Sequence, residues 1–245
     1  MANNFAKIIT IYNEKGGSGK TTLSCQLANT LGRRGLSVLL ADLDVQKTST
    51  AWSAYAETPE GFRATVWPGA DFGHKVTNEV SKLRDKFDLI IADCAPSVDQ
   101  PSTWAMLLVS DLALIPTKLS PPDLEALKAA KRLTRRAWED LAEKAREQGV
   151  NFSPFPVRVV PNGVRLHMAE DCEYLELLKK DTEIPPIAET LGDRRAYQRS
   201  MLAGSSVHAV PSSKDAVREI EAVADRVLTL LKMGGRSTMR KVVNA

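Results

Sequence analysis

The feature that most constrains this chain is the run Asn13-Glu14-Lys15-Gly16-Gly17-Ser18-Gly19-Lys20-Thr21-Thr22, which directly follows the apolar, β-branched segment Lys7–Tyr12. Leu23, Leu27 and Leu31 then recur at helical spacing, so a strand, a glycine loop and a helix are expected in succession. In that context the glycines let backbone N–H groups close around an anion, and the helix N-terminus adds a favourable dipole. Lys20 is then placed against the β- and γ-phosphates of a nucleotide, and the Thr21 hydroxyl is placed to ligate Mg2+.

Short apolar runs alternate with longer helical stretches along the rest of the chain. Strands are expected at Lys7–Tyr12, Ser37–Ala41, Ala64–Trp67, Leu89–Ala92, Leu112–Ile115 and Val157–Val160, with helices near 20–33, 73–86, 101–109, 121–148 and 166–180. Strands that are hydrophobic along their whole length are buried on both faces, as in parallel sheets covered by helices. The expected class is therefore α/β, a doubly wound, mostly parallel sheet with helices on both faces, of the P-loop NTPase type. No repeat or Gly/Ser/Pro-rich linker divides the chain, so residues 1–231 read as a single domain and residues 232–245 as a basic C-terminal tail.

Composition narrows the function classes. With 43% hydrophobic and 26% charged residues the chain is neither disordered nor fibrous. No apolar run approaches the ~18 residues of a membrane span. Cys25, Cys94 and Cys172 form no paired motif, and the first residues lack the features of an export signal, so a cytoplasmic setting is expected. The net charge of +3 is localised: the tail carries Lys232, Arg236, Arg240 and Lys241 with no acid. Such a tail either faces a polyanion or is simply solvated.

The ordinary phosphate-loop pattern G-x-x-x-x-G-K-[ST] fails, because Glu14 stands where its first glycine belongs. The box that fits is K-G-G-x-G-K-[ST], the deviant Walker A motif with an additional lysine, Lys15. Val38–Gln46 resembles a second strand and D-x-D-P-Q switch, with Val45 where proline is usual. Asp88–Pro96 resembles a Walker B strand ending in Asp93, and Leu114–Thr117 with Ser120–Leu124 resembles the strand and loop that follow it. On these residues the chain resembles the ParA/MinD family of deviant Walker ATPases, most of all the small ParA-type partition ATPases. The resemblance spans most of residues 5–230 and thins to pattern level after residue 165.

That resemblance implies a weak Mg2+-dependent ATPase that forms a sandwich homodimer with ATP and binds nonspecific DNA. It also implies positioning of a plasmid, a chromosome locus or other cargo through a ParB-like adaptor or centromere-binding protein, in a cytoplasmic, nucleoid-associated setting. The catalytic set it implies is Lys15, Lys20 and Asp44, with Lys15 reaching the partner's phosphates and Asp44 positioning the attacking water. Gly16, Gly17, Ser18, Gly19, Lys20, Thr21 and Thr22 would cradle the nucleotide, and Thr21, Asp42 and Asp93 would surround Mg2+. Asn162 falls where the family contacts adenine, a position that also suits a turn residue. Arg194, Arg195 and Arg199, with Arg218, form the DNA-facing set.

Two relatives offer other functions. A MinD-like protein cycles on a membrane, but Gly234-Gly235 interrupts any terminal helix and the last ten residues supply only Met239, Val242 and Val243. A membrane is therefore not the expected surface. An accessory ATPase of conjugative DNA transfer shares the box and the Ile-Pro-Thr strand. A cluster-bridged dimer of the nitrogenase iron-protein kind would need a cysteine spacing that is missing, so all three cysteines read as small buried or neutral residues. Lys128, Lys131, Arg132, Arg135 and Arg136 share one helical arc, with Arg135–Glu139 and Arg136–Asp140 spaced to neutralise part of it. The short stretch before the first strand leaves no room for a helix-turn-helix, so sequence-specific DNA reading is not expected of residues 1–245.

Overall fold

The structure is a computed structural model and describes residues 5–58, 61–97 and 99–233. Seven strands, β1 (Lys7–Ile11), β2 (Val38–Leu43), β3 (Thr65–Pro68), β4 (Leu89–Cys94), β5 (Leu112–Thr117), β6 (Val157–Val164) and β7 (Leu191–Gly192), make one sheet. Their order is β3-β2-β4-β1-β5-β6-β7, and every neighbouring pair is parallel. The helices are α1 (Lys20–Arg33), α2 (Thr48–Ala54), α3 (Val76–Ser81), α4 (Pro101–Leu107), α5 (Pro121–Glu147), α6 (Ala169–Lys179), α7 (Arg195–Leu202) and α8 (Lys214–Leu230).

Alternation along each strand sends side chains to two cores. Ile8 of β1 and Tyr12 just after it pack with α3, α4 and α5, whereas Ile9 and Ile11 pack with α1, α2, α7 and α8. This is why the strands read as unbroken apolar runs: both faces are covered. The chain leaves the expected pattern near residue 73. Gly73 adopts φ 51, ψ −129, which splits the anticipated helix into a 3-10 turn over Ala70–Lys75 and the short α3.

Three strands continue further than their apolar runs. β2 extends through Asp42, β4 through Asp93 and β5 through Thr117, because each of these polar side chains finds hydrogen-bond partners while fully buried. The parallel register sets Asp42 beside Asp93 and Asp93 beside Ile11. β1 lies between β4 and β5, so the loop after it opens where the strand order reverses, the crevice in which such sheets bind ligands.

Part of the basic arc of α5 is paired from outside the helix, while Lys128 pairs with Glu125 within it. Arg135 pairs with Glu183 at 2.7 Å rather than with Glu139, and Lys131 pairs with Asp181 at 2.5 Å. Arg136 lies over the Trp104 ring at 5.1 Å rather than against Asp140, which pairs with Lys144. The segment 181–184 brings Asp181 and Glu183 against α5.

Ile91 sits at the centre of β4 with no exposed surface, flanked by β1 and β2. Ile91→Ala should destabilise the protein by about 2–5 kcal/mol, read from urea denaturation. A loss well under 1 kcal/mol would mean that this central position is not packed to the density its burial implies.

Candidate functional site

The glycine loop makes its turn through left-handed backbone at Gly17 (φ 73) and Gly19 (φ 101), the latter being the N-cap of α1. Two asparagines hold it. Asn13 Nδ2 donates to Pro116 O at 2.8 Å and its Oδ1 accepts the Lys15 N–H at 3.3 Å, tying the start of the loop to β5. Asn162 Nδ2 donates to Ser18 O at 2.8 Å, tying its end to β6. The approach is so close that a Cβ on Gly19 would lie 1.9 Å from Asn162 Nδ2. Gly16 and Gly17 border open space on the other side, with Thr21 and Thr22 half-buried in the first turn of α1.

Lys20 is buried, and its Nζ donates to Lys15 O at 3.0 Å. Burial pulls its ammonium below the usual lysine value, partly offset by Asp93, Cys94 and Asp44. Lys15 points elsewhere: its Nζ meets Asp123 Oδ1 at 2.8 Å, with 37% of the side chain exposed against 5% for Asp123. Asp123 also accepts a hydrogen bond from the Ser120 hydroxyl in the first turn of α5. The Ser-x-x-Asp spacing marks a helix start in the sequence, but its contact with a loop more than a hundred residues earlier does not.

The aspartates are engaged by α2. Asp42 accepts from Thr50 N at 2.8 Å, Thr50 Oγ1 at 2.7 Å and Asp44 N at 3.3 Å. Asp93 accepts from Ser49 Oγ at 2.6 Å and Ser24 Oγ at 3.1 Å. Burial pushes the Asp93 carboxyl up to about 6, with the nearby Asp42 adding to the shift and the Ser49, Thr21 and Ser24 hydroxyls opposing it. Asp44 Oδ1 accepts the Gln46 N–H at 2.9 Å, and Lys47 takes the left-handed conformation at φ 51 as the turn enters α2. Ser49 and Thr50 were not apparent as site residues from the sequence; only the fold returns α2 to these carboxylates.

These residues suit a Mg2+ nucleotide. Ser18 Oγ is buried in the loop with no partner among the described residues, the loop's outer side is open, and a hydroxyl and two carboxylates stand together. Mg2+ is commonly held by few protein oxygens plus phosphate and water. Among the described residues no group of three or more His, Cys, Asp or Glu could hold a metal by itself. Cys25 and Cys94 are buried and Cys172 is exposed. Burial pushes the Cys94 thiol up to about 12 and Cys25 upward too, so neither is a ready thiolate ligand.

The arginines gather where α7 meets the start of α8. Arg194, Arg195 and Arg199 line one cleft of about 310 Å³ with Ser212, Ser213 and Asp215 at the start of α8. Arg194 is held by Glu219 at 2.6 Å and Asp215 at 3.3 Å, and Arg218 by Asp215 at 3.0 Å. Arg195 and Arg199 are exposed and form no ion pair among the described residues. Of the tail cations only Lys232 is described; Arg236, Arg240 and Lys241 lie outside the described residues, as do Gly234-Gly235, Met239, Val242 and Val243. No helix among the described residues is long and apolar enough to cross a membrane.

Fold and site together define a phosphate-loop nucleotide-binding protein. The chain belongs to the family described as the CobQ/CobB/MinD/ParA nucleotide binding domain, which it matches over residues 9–229. Maintenance of carboxysome distribution protein A of Halothiobacillus neapolitanus is 33% identical over 126 residues, covering 51% of this chain and 57% of that protein. Protein ParA of Rhizobium radiobacter is 25% identical over 223 residues, covering 89% and 94%. The ATP complex of a Cyanothece McdA variant has a TM-score of 0.70 at 16% identity, covering 92% of this chain and 97% of that one, a likeness of fold.

Two expectations follow from the geometry. Gly19→Ala should cost roughly 1–2 kcal/mol for left-handed backbone alone, with a further loss from the displaced Asn162. Adding Asn162→Ala should relieve the steric part and leave the backbone part, so urea denaturation of the two single variants and the double will be non-additive. Additive losses would separate the two residues.

The second expectation concerns pH in the nucleotide-free protein. The folded Asp93 value of about 6 lies above the ordinary 3.8, so folding takes up protons between these values and this group's contribution falls as pH rises through them. Asp93→Asn removes that dependence. The variant's stability relative to wild type should climb from pH 4 to pH 7 by up to about 3 kcal/mol. Parallel pH curves for the two proteins would overturn the assignment.

Proposed function

We propose that this chain is a ParA-type ATPase, weak and Mg2+-dependent, that forms an ATP-bound homodimer, binds DNA without sequence preference and positions a cargo. The observation that carries the reading is the pair of lysines in one glycine loop. Lys20 is buried beneath the loop, while Lys15 stands at its rim beside open space. Lys20 serves the phosphates of its own nucleotide. Lys15, exchanging Asp123 for phosphate, serves the nucleotide of a second copy, which makes ATP the link between two chains.

Thr21, Asp42 and Asp93 would hold Mg2+, which when bound neutralises charge on the phosphates. Asp44 sits in the turn that follows β2, where its carboxylate can hold and orient the attacking water. Gly16, Gly17, Ser18, Gly19 and Thr22 supply the backbone cradle, and Asn162 borders the adenine while it fixes Ser18. Arg195 and Arg199 supply the principal DNA contacts, with Arg194, Arg218 and the tail cations adding charge once their acids are screened or displaced. The names of the relatives support partition or positioning as the task, and a ParB-like adaptor would choose the cargo. Such a protein works in the cytoplasm, on the nucleoid.

The test compares wild type with Lys15→Gln and with Arg195→Ala/Arg199→Ala, measuring nucleotide affinity, size, turnover, and binding to unrelated duplexes and to anionic liposomes. Lys15→Gln should keep nucleotide affinity but lose the ATP-dependent dimer and turnover. The arginine variant should dimerise normally and bind all duplexes about tenfold or more weakly, with a shallower salt dependence. Normal turnover in Lys15→Gln would remove the cross-subunit role. Liposome binding without DNA binding would replace the ParA reading with the MinD-like one, and tight binding to a single sequence would favour a conjugation factor.

A further inference from the structure

α7 and the turn that follows it, 203–207, are bonded to both helices that leave the nucleotide loops, α7 itself to α1 and the turn to α1 and α2. From α1, which starts at Lys20, the buried Gln26 amide forks: Nε2 donates to Ser200 Oγ at 2.7 Å and Oε1 accepts the Val207 N–H at 2.9 Å. Chemistry fixes this orientation. The Val207 N–H can only donate, so Oε1 must face it, and the Ser200 hydroxyl, which already donates to Tyr197 O at 2.8 Å, is left to accept.

From α2, the buried Trp52 indole N–H donates to Ser205 O at 2.8 Å, just beyond the end of α7. Gly204 brings backbone directly against backbone there: at φ 54, a Cβ would lie 2.0 Å from Ala56 N. The opposite end of α2 is tethered to the site carboxylates, Ser49 to Asp93 and Thr50 to Asp42. The helix of eight residues is thus held from the phosphate side through α1, and the turn that ends it is held from the aspartate side through α2.

We infer that Gln26 and Trp52 are positioning residues that couple occupancy of the nucleotide loops to the setting of α7, and through it to Arg195 and Arg199. Buried donors and acceptors are costly to leave unmade, so a shift of α1 or α2 is transmitted to α7 rather than absorbed between them. The consequence for DNA rests on the function proposed above; the coupling itself does not.

The experiment measures hydrogen exchange across 195–210 in the full chain, with and without ATPγS and Mg2+, alongside affinity for a fluorescent nucleotide and for duplex DNA. Gln26→Met fills the same space without the fork, and Trp52→Phe keeps a ring without the donor. The two lie on separate helices, so either one that folds decides the matter. In wild type, nucleotide should change exchange across this segment. In each variant that response should fall about tenfold while nucleotide affinity stays near wild type, and the ratio of DNA affinities with ATPγS and ADP should move toward one. Gln26→Glu, which keeps the acceptor for Val207, should restore part of the response. A wild-type segment indifferent to nucleotide, or variants that respond as wild type does, would overturn the coupling. DNA binding absent from wild type in both nucleotide states would instead overturn the DNA reading, with the exchange result still deciding the coupling.

Discussion

The site depends on a loop that has almost no side chains with which to hold itself. A phosphate cradle must leave its N–H groups free for the ligand, so the loop has to be fixed through other atoms. Asn13, at the loop's start, does this by bonding β5 and the Lys15 N–H, and Asn162 of β6 does it by gripping the Ser18 carbonyl. Each bond contributes only about 0.5–1.5 kcal/mol net. Their value is that they pre-shape a backbone that glycine would otherwise leave free. The absence of a side chain at Gly19 is what allows Asn162 to come so near.

Charge around this loop is arranged with some internal strain. Lys20 is buried, Asp93 is buried beside Asp42, and Ser18 Oγ has no partner among the described residues. Such features lower the stability of the nucleotide-free fold, and they suit a site whose ligand brings both phosphate and a divalent cation. Lys15 is different. Its ammonium already has a carboxylate in the same chain, so any partner's phosphate must compete with Asp123. On the dimer proposed above, the affinity of one copy for another would reflect a difference between two ionic contacts rather than the strength of either alone.

The C-terminal third has a related logic. Its arginines are unequal, because Arg194 and Arg218 are occupied by Asp215 and Glu219 while Arg195 and Arg199 form no ion pair among the described residues. Exposed ion pairs of this kind are individually weak and are screened by salt, whereas the buried contacts on the other side of α7 are directional. The outer face is therefore tuned by ionic conditions and the inner face by geometry.

The sequence by itself determined the fold class and the identity of the phosphate loop. Both are local in origin: unbroken apolar strands can only be covered on both faces, and the glycine-lysine box has its chemistry within a few residues of itself. It also placed Asp42 and Asp93 at strand ends, and the parallel register sets them side by side. What the tertiary structure decided was who touches whom. The Asp123 contact with Lys15, the Ser49 and Thr50 contacts with the site carboxylates, the replacement of the helical ion pairs on α5 by Glu183 and Trp104, and the fork of Gln26 all join residues from different elements. Periodicity predicts which face of an element is buried, but a hydrogen-bond or ion-pair partner is chosen by distance in space, and only the folded sheet sets those distances.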